Sequence, residues 1–244
     1  MLNHVLVALV VGAASLASPV LAQTCPLPYI PTDEDGDPIP PVNDVFGGDL
    51  ADVILWGADM VECCGICTGT QDFQEIADLI RDRLAEQRIL WEDSLAADWY
   101  MQTKADRAAG DGSVECWNSS ESDNHITLNS GNFSSTGASS DPQVGALLTG
   151  AMLAHEMVHC LTLDATKTLV NGVWGSIEPE CTLFGNECFA YNLEELMINC
   201  ILNCMTEQCI DPSTFTPAGI VDLQNRLGDI LLEKANWCWL AGFC

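Results

Sequence analysis

Positive charge is scarce in this chain. Among 244 residues only 8 are Lys or Arg, against 35 Asp and Glu, for a formal net charge of -27 at pH 7. Phosphate backbones and anionic bilayers are met with clustered cations, so this scarcity excludes nucleic acid and an anionic membrane surface as partners. Histidine, with 4 residues, and tyrosine, with 3, are scarcer still. Beyond one N-terminal run, no stretch is long and apolar enough to span a bilayer. No internal repeat is visible. The hydrophobic content of 48% excludes a disordered acidic tail, and the length suits one sizeable core.

Cysteine is abundant instead, with 13 residues. That usage points to disulfides and an oxidising compartment, and an odd number leaves one thiol for another role. Residues 5–22 are almost wholly apolar or small and end at Ala22, which suits export with a cut before Gln23. We read residues 1–22 as a signal peptide, the mature protein as secreted or periplasmic, and no stable membrane insertion after cleavage. Residues 23–49 are rich in Pro, Gly and Asp and read as an extended arm. Asp33, Asp35 and Asp37 within it resemble a fragment of a Ca2+ loop; a solvated acidic loop explains the same residues. Residues 50–244 read as a single domain.

Cys63, Cys64 and Cys67 follow a mixed apolar segment and offer a redox pair, a zinc site or a disulfide knot, of which the knot suits an exported chain. From Asp72 to about Ala108 the apolar residues recur at threes and fours, predicting one long backing helix or two with a kink. Short strands are expected at 113–117 and 125–128. Asp141 followed by Pro142 is a capping signature for a buried helix running to about Leu163. Another helix is expected over 187–207, with Cys200 and Cys204 on one face anchoring it to two partners. Thr216-Pro217 opens a final helix reaching about Trp237. The expected class is α+β, helix-rich and disulfide-stapled.

The sharpest motif is His155-Glu156-Met157-Val158-His159. Residues four apart lie one turn above each other on a helix, so both imidazoles can meet one metal ion with Glu156 beside it. Imidazole suits Zn2+, and the carboxylate suits general-base work. Two His leave a catalytic zinc one protein ligand short, and no His follows His159. The third ligand is then Glu, Asp, Cys or the upstream His125. Glu187, opening the next helix with Ala190 one turn on, is the leading choice; Glu178, Glu180, Glu194 and Glu195 are rivals. Glu194 is also placed to accept a hydrogen bond from a ligand His.

With these pieces, HEMVH at 155–159 and ECFAY at 187–191, the chain resembles the gluzincin type of zinc metallopeptidase over roughly residues 122–203. The resemblance implies a zincin-like core of backing helix, small sheet, active-site helix and glutamate helix. It implies one Zn2+ held by His155, His159 and Glu187, with Glu156 as general base for a metal-activated water. Tyr191 is the nominated oxyanion donor, with His125 second. The implied activity is an exported zinc endopeptidase acting on a peptide or protein substrate. The alternative is a non-catalytic, zinc-containing, disulfide-rich secreted binding or structural protein. Cys160 is expected to tie the two ligand helices together through the 181–188 region.

Overall fold

A computed structural model describes residues 37–69, 71–92, 101–105, 124–160, 184–204 and 210–241. Gly47 and Gly48 adopt φ of 67° and 98°, a turn that residues with a Cβ rarely make. It launches α1, Asp49–Thr68, whose first turn carries Asp49 and Asp52 at the positive end of the helix dipole. Leu50, Val53, Ile54, Ala58, Val61 and Cys64 recur at threes and fours and face inward. Gly69, at φ 69°, closes the helix by returning its N–H to the Gly65 and Ile66 carbonyls.

The next helix, α2, spans Gln71–Ala85 and buries Phe73, Ile76, Ala77, Ile80 and Leu84. It stops well short of the expected end near 108. Gln87 takes a left-handed φ of 59°, and the Arg88 N–H closes back on the Arg83 carbonyl at 2.8 Å. The chain then enters β1, Ile89–Glu92. Two further strands follow, β2 at Met101–Ala105 and β3 at Asn124–Asn129. They form one sheet in the order β1-β3-β2. β1 runs parallel to β3, with Ile89 opposite Ile126, and β2 runs antiparallel to it, with Met101 opposite Leu128. The outer edge of β1 meets the N-terminal arm, where Trp91 N–H donates to the Pro40 carbonyl at 2.9 Å. A proline carbonyl suits that edge, since Pro lacks the N–H that an interior strand must supply. The strand expected at 113–117 lies outside the described residues.

Asp141 caps α3, Pro142–Cys160, by accepting from the Gln143 and Val144 N–H groups at 2.9 and 3.2 Å. Its other oxygen accepts from Thr216 N–H at 2.6 Å, which fixes the start of the last helix beside it. Burial raises the Asp141 carboxyl, but these hydrogen bonds outweigh it and hold the group below the usual carboxylate range. Val144, Leu147, Leu148, Ala151, Met152, Leu153 and Met157 are all buried, so α3 is apolar nearly all round and occupies the centre. Glycine lets it approach α1. A Cβ on Gly150 would stand 2.5 Å from the Gly57 carbonyl oxygen.

The remaining helices are α4, Phe184–Asn203, and α5, Pro217–Ala241. α3 touches both of them, as well as α1, α2 and β2. Cystines Cys64–Cys200 and Cys67–Cys204 tie α1 to the end of α4, and Cys188–Cys238 ties the start of α4 to α5. Cys200 and Cys204 thus anchor to two partners on a single helix. Cys188 pairs with α5 rather than with Cys160, whose side chain is outside the described residues. Among the described residues no helix is long and apolar enough to cross a membrane.

The expected zincin-like core assembled around a metal is corrected here. The fold is helix-rich with one small mixed sheet, and among the described residues no group of three or more His, Cys, Asp or Glu side chains could hold a metal ion. Apolar burial, the Gly57–Gly150 crossing and the cystines gather the helices instead.

Candidate functional site

The fourth turn of α3 brings His155 and Glu156 to the core boundary, where they are 6% and 7% exposed. Facing them, α4 carries Glu187, Tyr191 and Glu194 at spacings of four and three, which places all three on one face. α5 contributes Arg226, which shares a buried stripe with Leu223 and Ile230.

These side chains form a continuous polar chain. Arg226 grips Glu194 with two parallel bonds, Nε to Oε1 at 2.6 Å and Nη2 to Oε2 at 2.8 Å. Glu194 Oε2 lies 3.2 Å from His155 Nδ1. On the far side of the ring, His155 Nε2 lies 3.7 Å from Glu187 Oε2. Tyr191 meets the imidazole edge-on, with ring centroids 4.5 Å apart. Glu194 is fully buried, whereas the Glu187 side chain is 31% exposed. The chain therefore runs from a sealed cation to a carboxylate that meets solvent.

The electrostatics follow from this order. Burial alone would lower the His155 pKa, but the carboxylates of Glu187, Glu194 and Glu156 outweigh it and push it up to about 9. Burial likewise raises Glu194, yet Arg226 and His155 together hold it below its ordinary value. Tyr191 is raised, by burial first and by Glu187 and Glu194, against a lowering by Arg226. These directions favour a protonated imidazole beside an ionised Glu194, with a neutral phenol at its edge.

The zinc expectation is corrected on the same geometry. The structure brings His155, Glu156, Glu187 and Tyr191 together, but both ring nitrogens of His155 already face carboxylates. Among the described residues no metal-binding group of three is gathered. The resemblance to gluzincins, the zinc-activated water, the zinc endopeptidase and the zinc-containing alternative fall with it. His159 lies within α3, with its side chain outside the described residues. The same holds for the His125 side chain on β3, and for Glu178, Glu180, Asp33 and Asp35 altogether.

Glu194 was legible in advance as a rival ligand or an acceptor for a ligand His; the structure sets its carboxylate 3.2 Å from His155 Nδ1. Arg226 was not foreseen. Its signal is its position in α5, where a cation recurs with Leu223 and Ile230 on the inward stripe. No family model, curated protein or solved structure matches the chain.

Proposed function

We propose that the protein is an exported, disulfide-stapled binding protein whose α3–α4 face takes a peptide or protein ligand and exchanges a proton with it. The observation behind this reading is the chain Arg226–Glu194–His155–Glu187. It sets Nδ1 of one imidazole 3.2 Å from a buried carboxylate and its other nitrogen 3.7 Å from a partly exposed one. An oriented imidazolium flanked by carboxylates is the arrangement that general acid–base groups use. In this reading His155 is the proton reservoir, and Glu187 is the carboxylate that meets the ligand. Tyr191, kept neutral, offers an O–H donor. The charge of -27 favours basic or neutral peptides through long-range attraction, weakened by salt. The apolar N-terminal run and the cystines support a secreted or periplasmic location.

Calorimetry tests the proposal directly. A pool of basic and neutral peptides is titrated into the mature protein in two buffers of different ionisation enthalpy. Binding is expected with a net proton exchanged, and Glu187→Gln is expected to reduce that proton count. Absence of binding, or binding with no proton exchanged, overturns the reading.

A further inference from the structure

Three described cystines differ in what surrounds their sulfurs. Cys64 and Cys200 are buried at 0% and 8% exposure, and Cys204 is buried at 4% with its partner Cys67 exposed. Cys188 and Cys238 are both half-buried, less open than Cys67, so exposure is not what sets this bond apart. Its polar neighbour does. Asn192 Nδ2 lies 3.5 Å from Cys188 Sγ and 3.7 Å from Cys238 Sγ. The same nitrogen donates to the Cys188 carbonyl at 2.9 Å, which fixes the amide in place. An amide has two N–H groups; with one on the carbonyl, the second points at the pair of sulfurs. A donor at sulfur stabilises a departing thiolate, and leaving-group stability together with access sets the rate of thiol–disulfide exchange.

The position of the bond gives such exchange a consequence. Cys188 directly follows Glu187 and lies one turn before Asn192 on α4, while Cys238 lies near the end of α5. The bond holds the first turn of α4, which presents Glu187 to His155, against the helix that supplies Arg226. We propose that Cys188–Cys238 is a reversible redox modification site, opened by an external thiol or dithiol, that controls the approach of Glu187 to His155.

An external thiolate attacks one sulfur, the Cys188–Cys238 bond breaks, and its electron pair leaves on the other sulfur beside the Asn192 amide. Solvent protonates that thiolate. A second external thiol then resolves the mixed disulfide. Two external thiols are oxidised to one disulfide, and the protein gains two thiols. Once reduced, Cys238 has an acceptor 3.8 Å away in the Cys188 carbonyl. The control of Glu187 rests on the acid–base reading of the site, whereas the lability of the bond does not.

The test uses the mature protein in graded glutathione buffers, with trapping by alkylation and mass spectrometry of the cysteine peptides. Cys188 and Cys238 are expected to become alkylated before Cys64, Cys67, Cys200 and Cys204. Asn192→Ala is expected to slow their opening by about threefold or more, through loss of leaving-group stabilisation. Opening of the α1–α4 cystines first, or an unchanged rate in Asn192→Ala, overturns the site. Selectively reduced protein is then compared with oxidised protein by proton-linked peptide calorimetry, with helical content followed by circular dichroism. Loss of the proton share that Glu187→Gln also removes supports the control. An unchanged proton count in folded, reduced protein overturns the control, and absence of peptide binding in the oxidised protein overturns the acid–base reading while leaving the alkylation order to judge the bond.

Discussion

At the scale of residues, one buried ion chain organises the site, and its consequences carry definite signs. The folded His155 pKa of about 9 lies above its ordinary 6.5. Its contribution to stability is therefore complete below about pH 6.5 and lost as pH rises through 9. Glu194 is depressed, so its share is complete above the ordinary 4.5 and lost as pH falls through the lowered value. The two shifts describe one interaction, which is intact between those limits. A change of this size corresponds to about 3 kcal/mol, so the melting temperature is expected to fall by roughly 5–10 °C between pH 6 and pH 10, as followed by circular dichroism. Glu194→Gln removes the bidentate partner of Arg226 and one carboxylate from His155. Removing one member of a buried pair costs about 3 kcal/mol or more, and chemical denaturation measures it. Glu194 was visible as a partner for a motif histidine because it follows Glu187 by seven residues on a helical face. Arg226 was not visible, because a lone Arg on an amphipathic helix reads as solvated until the fold shows which stripe is inward.

At the scale of elements, capping chemistry was readable and helix stops without glycine were not. Asp141-Pro142 and Thr216-Pro217 mark the starts of α3 and α5, because a side-chain acceptor and a pre-set proline φ act locally. The stop after α2 depends on Gln87 at positive φ, a conformation no rule assigns to Gln in advance. Leu90, Trp91 and Leu95 continue the helical spacing beyond it, and so concealed β1. Cys64 and Cys67 read as part of a disulfide knot, which holds; their partners, Cys200 and Cys204 across the helix pair, were not legible. The α1–α3 crossing was likewise hidden, since glycine inside an apolar helix reads as a weakness. It is a contact surface: Gly150→Ala sets a Cβ 2.5 Å from the Gly57 oxygen, against backbone that cannot rotate away. A destabilisation of at least about 2 kcal/mol is expected, and a stability unchanged by the substitution would remove the crossing as a determinant of the fold.

At the scale of the whole molecule, the two α1–α4 cystines close nearly the same long loop, with separations of 136 and 137 residues. While one remains, losing the other reopens only the short ring between the two. The chain-entropy relation gives about 2 kcal/mol for either single removal and about 7 kcal/mol for both. Denaturation of Cys64→Ala/Cys200→Ala, Cys67→Ala/Cys204→Ala and the combined variant should therefore show a loss larger than the sum of its parts. The abundance of cysteine in the sequence foretold stapling, but not this redundancy, because pairing depends on which helices lie together. The scarcity of Lys and Arg has a similar history. It argued against phosphate-bearing partners at the outset, and among the described residues the fold buries two of the scarce cations, Arg83 and Arg226.

The central claim is that His155 is an oriented imidazolium poised between Glu194 and Glu187. Nitrogen-15 chemical shifts of the histidine rings, followed across pH in the mature protein, read its protonation directly. The His155 midpoint is expected near 9, falling in Glu194→Gln and in Glu187→Gln. A His155 ring that titrates at or below its ordinary 6.5, unmoved by either substitution, would contradict it.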